Sequence, residues 1–301
     1  MDASIELQGS NRQAVLLLHG LCARPLELLP VAKRLHQAGY TVRVPHISGY
    51  GADIGGTPGV GRPGIYENWL AQARRHAQEL AATHEQLAVG GLSVGAVLAL
   101  ALAAEITPAA LLLMSPTLYY DGWNASRWRG LLPLARLPVL RDHLSFGGRA
   151  PYGIKNARLR DWIVETLERE GTCVIGAARV PAASLHQAGR LIERVQAQLA
   201  EVRSPTLVLH STEDDIAGPR NVHELRNRLG AGEVAVQWFH DSYHLLTLDN
   251  ECDAVAAAAL DFVAGRLHGA SPGFVPAPTP GPNPAGGALG CSFAYEDRLA
   301  A

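Results

Sequence analysis

A serine held between two glycines is the first feature of this sequence with the makings of a reagent. In VGGLSVGAV (89–97), Ser93 stands between Gly91 and Gly95 inside an otherwise apolar run. With 31 glycines and 13 serines in 301 residues, chance alone supplies about 0.14 occurrences of G-x-S-x-G, so the surroundings must decide its meaning. LAV precedes the motif and AVLALALAAE follows it, which reads as strand, sharp turn and helix. A turn that tight tolerates only small neighbours and lifts the serine Oγ into the open. It also aims the unpaired N–H groups and positive dipole end of the following helix at negative charge forming beside the hydroxyl.

A serine hydroxyl is a weak nucleophile until a histidine takes its proton and a carboxylate steadies the ring. In a strand–turn–helix setting these partners are expected downstream, acid before histidine, in loops at the carboxyl ends of strands. After TLVLH (206–210) the loop STEDDIAGPRN offers Glu213, Asp214 and Asp215. After VAVQWF (234–239) the loop HDSYHLLTLDN offers His240 and His244. Loop acids and loop histidines taken singly are mostly solvated spectators. Their joint placement carries the weight, and the residues alone leave open which acid and which histidine act. Negative charge on a reacting carbonyl also needs donors. The turn at His19-Gly20 after AVLLL offers the backbone N–H of Leu21, and the elbow offers that of Val94. His19 is read as a turn residue.

The elements needed to position these residues are legible. Short apolar runs, AVLLL, YTVRV, LAVGG, PAALLLM, TLVLH and VAVQWF, alternate with segments of helical period. That is the rhythm of an α/β fold, a mostly parallel central sheet flanked by helices. YENWLAQARRHAQELAATH, for example, carries an apolar stripe through Trp69, Ala73, Ala77 and Leu80. Residues 46–64 are too rich in glycine and proline for regular structure and read as a loop. The rhythm breaks at 117–201, which shows no strand pattern and reads as a helical cap inserted into a core formed by 1–116 and 202–268. Trp123, Trp128, Leu131, Leu132, Leu134 and Leu137 either line an acyl pocket there or pack the cap onto the core. Residues 269–301, with SPGFVPAPTPGPNPAGG, form a Pro/Gly-rich tail expected to be disordered.

Composition narrows the partners. A formal charge of −2 and the lack of any dense basic block argue against nucleic acid. No apolar stretch approaches the ~20 residues of a membrane span. The beginning, MDASIELQGSNRQ, lacks the basic and oily regions of an export signal. Cys22, Cys173, Cys252 and Cys291 are widely spaced and read as reduced thiols, which places the protein in the cytoplasm. No metal-ligand, phosphate-loop or dinucleotide motif is visible, so neither metal nor organic cofactor is implied.

LLLHG-x-x-x-x-P, YTVRVP, the G-Y-G loop, NWL, GGLSVG, LVLHSTEDD and SYHLLTLD occur in that order over about residues 14–265. Together they resemble the α/β-hydrolase superfamily, and within it the bacterial carboxylesterases and monoacylglycerol lipases. The resemblance implies Ser93 as nucleophile, Asp214 as acid with Asp215 in reserve, and His244 as base, leaving His240 a spectator. It implies an esterase acting through an acyl-enzyme on short- to medium-chain acyl esters or monoacylglycerols, with water as second substrate. The same triad serves a thioesterase, amidase or carbon–carbon hydrolase, and the same fold serves non-catalytic binding proteins. Leu21, Cys22 and Ala23 replace the F-T-G that commonly follows H-G. Val94 replaces a frequent Met or Gln, and Tyr50 stands where a histidine is frequent.

Overall fold

The apolar runs become strands covered on both faces. A computed structural model of the chain describes residues 4–52, 64–124, 144–148, 150–170, 172–173, 176–177 and 179–267. In chain order these give β1 (Ile5–Leu7), β2 (Gln13–Leu18), α1 (Leu29–Gln37), β3 (Thr41–Val44), α2 (Tyr66–Ala81), β4 (Gln86–Leu92), α3 (Val94–Ile106) and β5 (Ala110–Met114). Then come β6 (Ser145–Gly147), α4 (Ala157–Glu170), β7 (Thr172–Cys173), β8 (Gly176–Ala177), β9 (Arg179–Pro181) and α5 (Ala182–Gln198). β10 (Thr206–Ser211), α6 (Arg220–Arg228), β11 (Val234–Phe239) and α7 (Cys252–Leu267) complete the series.

Seven strands form one sheet in the order β1-β3-β2-β4-β5-β10-β11. All neighbours are parallel except β1, which pairs antiparallel with β3 at one edge. Alternate residues along each strand serve opposite cores, as the two-residue period of a strand requires. Leu16, Leu18, Val89, Leu111 and Val208 face the layer of α2, α3 and α5. Val15, Leu17, Ala88, Leu112 and Leu207 face the layer of α1, α4 and α7. The stripe Trp69, Ala73, Ala77 and Leu80 of α2 is buried as expected. Each large apolar side chain so covered contributes about 1.5–3 kcal/mol relative to exposure.

Register sets up the site. β4 and β5 run side by side to Leu92 opposite Met114, and β10 and β11 run to Ser211 opposite Phe239. The segments carrying Ser93, Asp214 and His244 therefore leave the sheet from the same edge, that of the strands' carboxyl ends.

Three features differ from the sequence reading. β1 is an added edge strand, too short at IEL to show alternation. The segment 117–201 is not purely helical among its described residues, since β6 pairs with β9 and β7 with β8 in two small antiparallel ribbons of two or three residues. Within that segment α5 packs in the same layer as α2 and α3, burying Ala188, Leu191, Ile192 and Val195 against the core. Cys22 and Cys173 are buried thiols, whereas Cys252 is disulfide-bonded, contrary to the expectation of four reduced thiols. The expected disorder of 269–301, and Trp128, Leu131, Leu132, Leu134 and Leu137 of the expected cap, lie outside the described residues.

Candidate active site

The elbow at Ser93 is built by strain and by absent side chains. Ser93 adopts φ 59° and ψ −123°, a positive φ that costs a non-glycine residue of order 1–3 kcal/mol and persists only where the surroundings fix it. A Cβ on Gly91 would come within 2.3 Å of the Gly95 carbonyl oxygen. One on Gly95 would meet the carbonyl oxygens of Leu18 and His19 at 2.2 and 2.3 Å. The spacing of the motif therefore reflects two backbone approaches. The second of them sets the turn after β2 directly beside the first turn of α3, whose N-terminal residue is Val94.

The sheet edge brings together the three side chains expected from sequence. His244 Nε2 lies 2.8 Å from Ser93 Oγ, and its Nδ1 lies 2.8 and 3.0 Å from the two carboxylate oxygens of Asp214. Asp214 Oδ1 also accepts the N–H groups of Ile216 and Ala217 at 2.8 and 2.7 Å. An acceptor so engaged favours the ionised carboxylate, so Nδ1 of the ring carries the proton and Nε2 is left to accept from Ser93. His210, at the end of β10, closes the Asp214 turn by donating Nε2–H to the Ala217 carbonyl at 2.8 Å.

Burial and pairing compete at both titrating groups. Burial is the largest influence on His244 and works to lower its pKa. The Asp214 charge and hydrogen bond outweigh it, and the net direction is upward. Burial likewise acts to raise the pKa of Asp214, and attraction to His244 reverses it, leaving the net direction downward. The pair thus favours an ionised acid and a ring that keeps its proton to higher pH than a free imidazole. A neutral, proton-accepting ring is available only above that point.

The alternatives sit elsewhere. His240 is exposed, with Nδ1 on Thr212 Oγ1 at 3.1 Å. Asp215 lies near enough for its charge to be felt by the ring, but it accepts its hydrogen bond from the Gly153 N–H at 3.2 Å, and its Oδ1 is buried without a partner among the described residues. Burial pushes its pKa up. In the turn after β2, Gly20 N–H donates to the Glu27 carboxyl, Cys22 N–H to the Tyr50 carbonyl, and Ala23 N–H to the Gly20 carbonyl. No described residue accepts the N–H of Leu21. Tyr50, at the position where the resembling family often has histidine, is buried and donates its hydroxyl to the His19 carbonyl at 2.8 Å.

Several supporting residues carry no motif. Thr117 is fully buried, places Oγ1 3.3 Å from Ser93 Oγ and donates to the Ser115 carbonyl. Ser115 Oγ donates to the His244 carbonyl at 2.7 Å. Asp249 accepts the N–H groups of Tyr243, Lys155, Asn156 and Asn250 at 2.7–2.9 Å, stapling the His244 loop to the segment before α4. The SPT sequence after β5 and the TLD after His244 were the available pointers to Thr117 and Asp249, and neither is specific. Trp123 is 61% exposed and donates Nε1–H to the Glu213 carbonyl at 2.9 Å.

A parallel sheet wound on both faces, with a strained serine elbow and a hydrogen-bonded histidine and acid at its carboxyl edge, defines an α/β-hydrolase. The chain belongs to the hydrolase family described as serine aminopeptidase, S33, which it matches over residues 9–251. It is 26% identical over 256 residues to the thermostable monoacylglycerol lipase of Bacillus sp. (strain H-257), covering 83% of this chain and 90% of that one. It is 24% identical over 252 residues to a carboxylesterase of Bacillus subtilis (strain 168), covering 83% and 92%. Among solved structures, the monoacylglycerol lipase of Paleococcus ferrophilus superposes with a TM-score of 0.73 at 19% identity, covering 88% of this chain and 99% of that one. Among the described residues no helix is long and apolar enough to cross a membrane.

Proposed function

We propose that Ser93, His244 and Asp214 perform acyl transfer from a carboxylic ester to water, with the N–H groups of Leu21 and Val94 receiving the oxyanion. The protein is a serine ester hydrolase, as its family and its relatives support. The observation that carries the residue assignment is the continuous hydrogen-bonded path from Ser93 Oγ through the His244 ring to Asp214, 2.8 Å at each link.

Ser93 Oγ bonds the ester carbonyl carbon as its proton passes to His244 Nε2, and the electron pair of the carbonyl collects on oxygen. Asp214 holds the imidazolium through Nδ1–H. Collapse of the intermediate breaks the ester C–O bond while Nε2–H protonates the departing alcohol. A water then gives a proton to Nε2 and its oxygen to the acyl carbon. Ser93 leaves with the proton returned, and the carboxylic acid is released.

The substrate class proposed is a carboxylic ester or a monoacylglycerol, by similarity to the two curated relatives, with an acyl chain of short to medium length as the finer part of the proposal. A panel of nitrophenyl esters, monoacylglycerols, acyl-thioesters and anilides tests it. Esters and monoacylglycerols are expected to give the highest kcat/KM, and a preference for thioesters or anilides would overturn this class while leaving the triad intact. The cytoplasmic location is likewise a proposal.

A further inference from the structure

Behind the turn that carries Leu21 lies a carboxyl group that the reaction above does not use. Glu27 is in the 3-10 turn Pro25–Leu28 and is 1% exposed. A carboxyl group in such a place is costly unless its polar atoms are bound. Glu27 Oε1 accepts the N–H of Gly20, the residue immediately before Leu21. Its own backbone carbonyl accepts Thr247 Oγ1 at 2.7 Å, on the segment that carries His244. A Cβ on Gly20 would stand 3.1 Å from Oε1, so the carboxyl is seated directly against that peptide.

The rest of the turn is tied by other groups. Tyr50 fixes His19 and Cys22, and Ala177 of β8 donates its N–H to the Cys22 carbonyl at 3.1 Å. Among the described residues only Glu27 accepts the Gly20 N–H and so fixes the peptide just before the one that carries the Leu21 N–H, whose Gly20 carbonyl accepts from His19 Nδ1 at 2.8 Å and from the Ala23 N–H at 3.2 Å. We propose that Glu27 is a positioning residue, whose buried carboxyl clamps the Gly20 peptide so that the Leu21 N–H faces the reacting carbonyl, and which ties that turn to the His244 loop through Thr247. This rests on the assignment of Ser93 and Leu21 made above.

Ionisation of the clamp has a consequence for rate. Burial lifts the Glu27 pKa from 4.5 to about 8, opposed by the Gly20 N–H and by the charge of His244. Near neutral pH the group is an uncharged acceptor, and above about 8 it places a full negative charge beside the developing oxyanion. The titratable groups around it are His244 on the loop after β11, Tyr50 on the loop after β3, and His19 and Cys22 on the turn itself. Burial pushes Tyr50 well above 10 and His19 down to about 3, so both stay neutral over the range in question. His244 gives the acid limb, and Glu27 gives an alkaline one.

The test compares wild type, Glu27→Gln and Glu27→Leu in nitrophenyl-ester hydrolysis, with rates normalised to active sites titrated by a fluorophosphonate. Wild-type kcat/KM is expected to fall above pH about 8, and Glu27→Gln, which keeps a carbonyl acceptor but cannot ionise, loses that limb while its neutral-pH kcat stays close to wild type. Glu27→Leu, lacking an acceptor, lowers kcat by about 10²-fold, the scale of one oxyanion donor. KM changes little, and inhibition by a trifluoromethyl ketone weakens in parallel. A folded Glu27→Leu with wild-type kcat, an alkaline limb that persists in Glu27→Gln, or a wild type without one overturns the inference. If Glu27→Leu does not fold, the Glu27→Gln profile decides alone. A wild type inert toward every ester defeats the functional reading and this inference together. Ordinary ester turnover with unresponsive Glu27 variants defeats this inference only.

Discussion

Ser93→Ala and His244→Ala each lower ester turnover by about 10⁶-fold, with the melting temperature close to that of the wild type. The magnitude is that of a nucleophile and its base acting as one unit, and corresponds to about 8 kcal/mol of transition-state stabilisation at 1.36 kcal/mol per decade. The two groups share a single proton across 2.8 Å, so neither is useful without the other. The double variant is accordingly no slower than either single one. Stability is expected to hold, because Ala keeps the Cβ that Ser93 already accommodates at φ 59°. The His244 loop stays fastened by Ser115, Gly153 and Asp249 through backbone atoms. His240→Ala is the internal control. That ring is exposed and bound to Thr212, and its loss leaves turnover close to wild type. Steady-state kinetics on the three purified variants, with circular dichroism to establish folding, checks all of this.

Asp214→Asn lowers kcat by about 10⁴-fold, whereas Asp215→Asn changes it by less than about tenfold. The difference follows from where protons sit. Asp214 accepts from Nδ1, Ile216 N and Ala217 N. An amide there must either turn its NH₂ toward the ring, stabilising the tautomer whose Nε2 is already protonated, or turn it against two backbone donors. The first outcome leaves Ser93 without a base. Asp215 accepts from the Gly153 N–H rather than from the ring, and the carbonyl oxygen of an amide there can accept the same bond. Single-turnover rates of both variants decide the matter, and a greater loss from Asp215→Asn would transfer the acid's role to that residue.

Much of this arrangement was legible in the sequence, and for identifiable reasons. The six strands read as apolar runs are those strands because both faces of a parallel sheet are covered, so YTVRV or TLVLH needs no alternation to be recognised. The elbow was legible because Gly91 and Gly95 stand where any Cβ strikes backbone. The residues alone could not choose between Asp214 and Asp215 or between His240 and His244. Adjacent loop residues of one type differ only in direction, and direction is set by hydrogen bonds such as those from the Ala217 N–H to Asp214 and from the Tyr243 N–H to Asp249. Resemblance to a family made that choice at the sequence level. Glu27 was invisible for another reason: it is a common residue in an unremarkable context, and its place behind the site comes from contacts with the Gly20 N–H and with the distant Thr247. The ribbons of 117–201 escaped because strands of two or three residues carry no period.

The central claim is that the hydroxyl of Ser93 is the group that attacks. Labelling the intact protein with a fluorophosphonate, digesting it and locating the adduct by mass spectrometry tests this most directly. One phosphonylated peptide is predicted, modified at Ser93, formed more slowly as acid protonates His244 and absent from Ser93→Ala. An adduct on another residue, or full ester turnover in protein whose Ser93 remains unmodified by excess reagent, would contradict it.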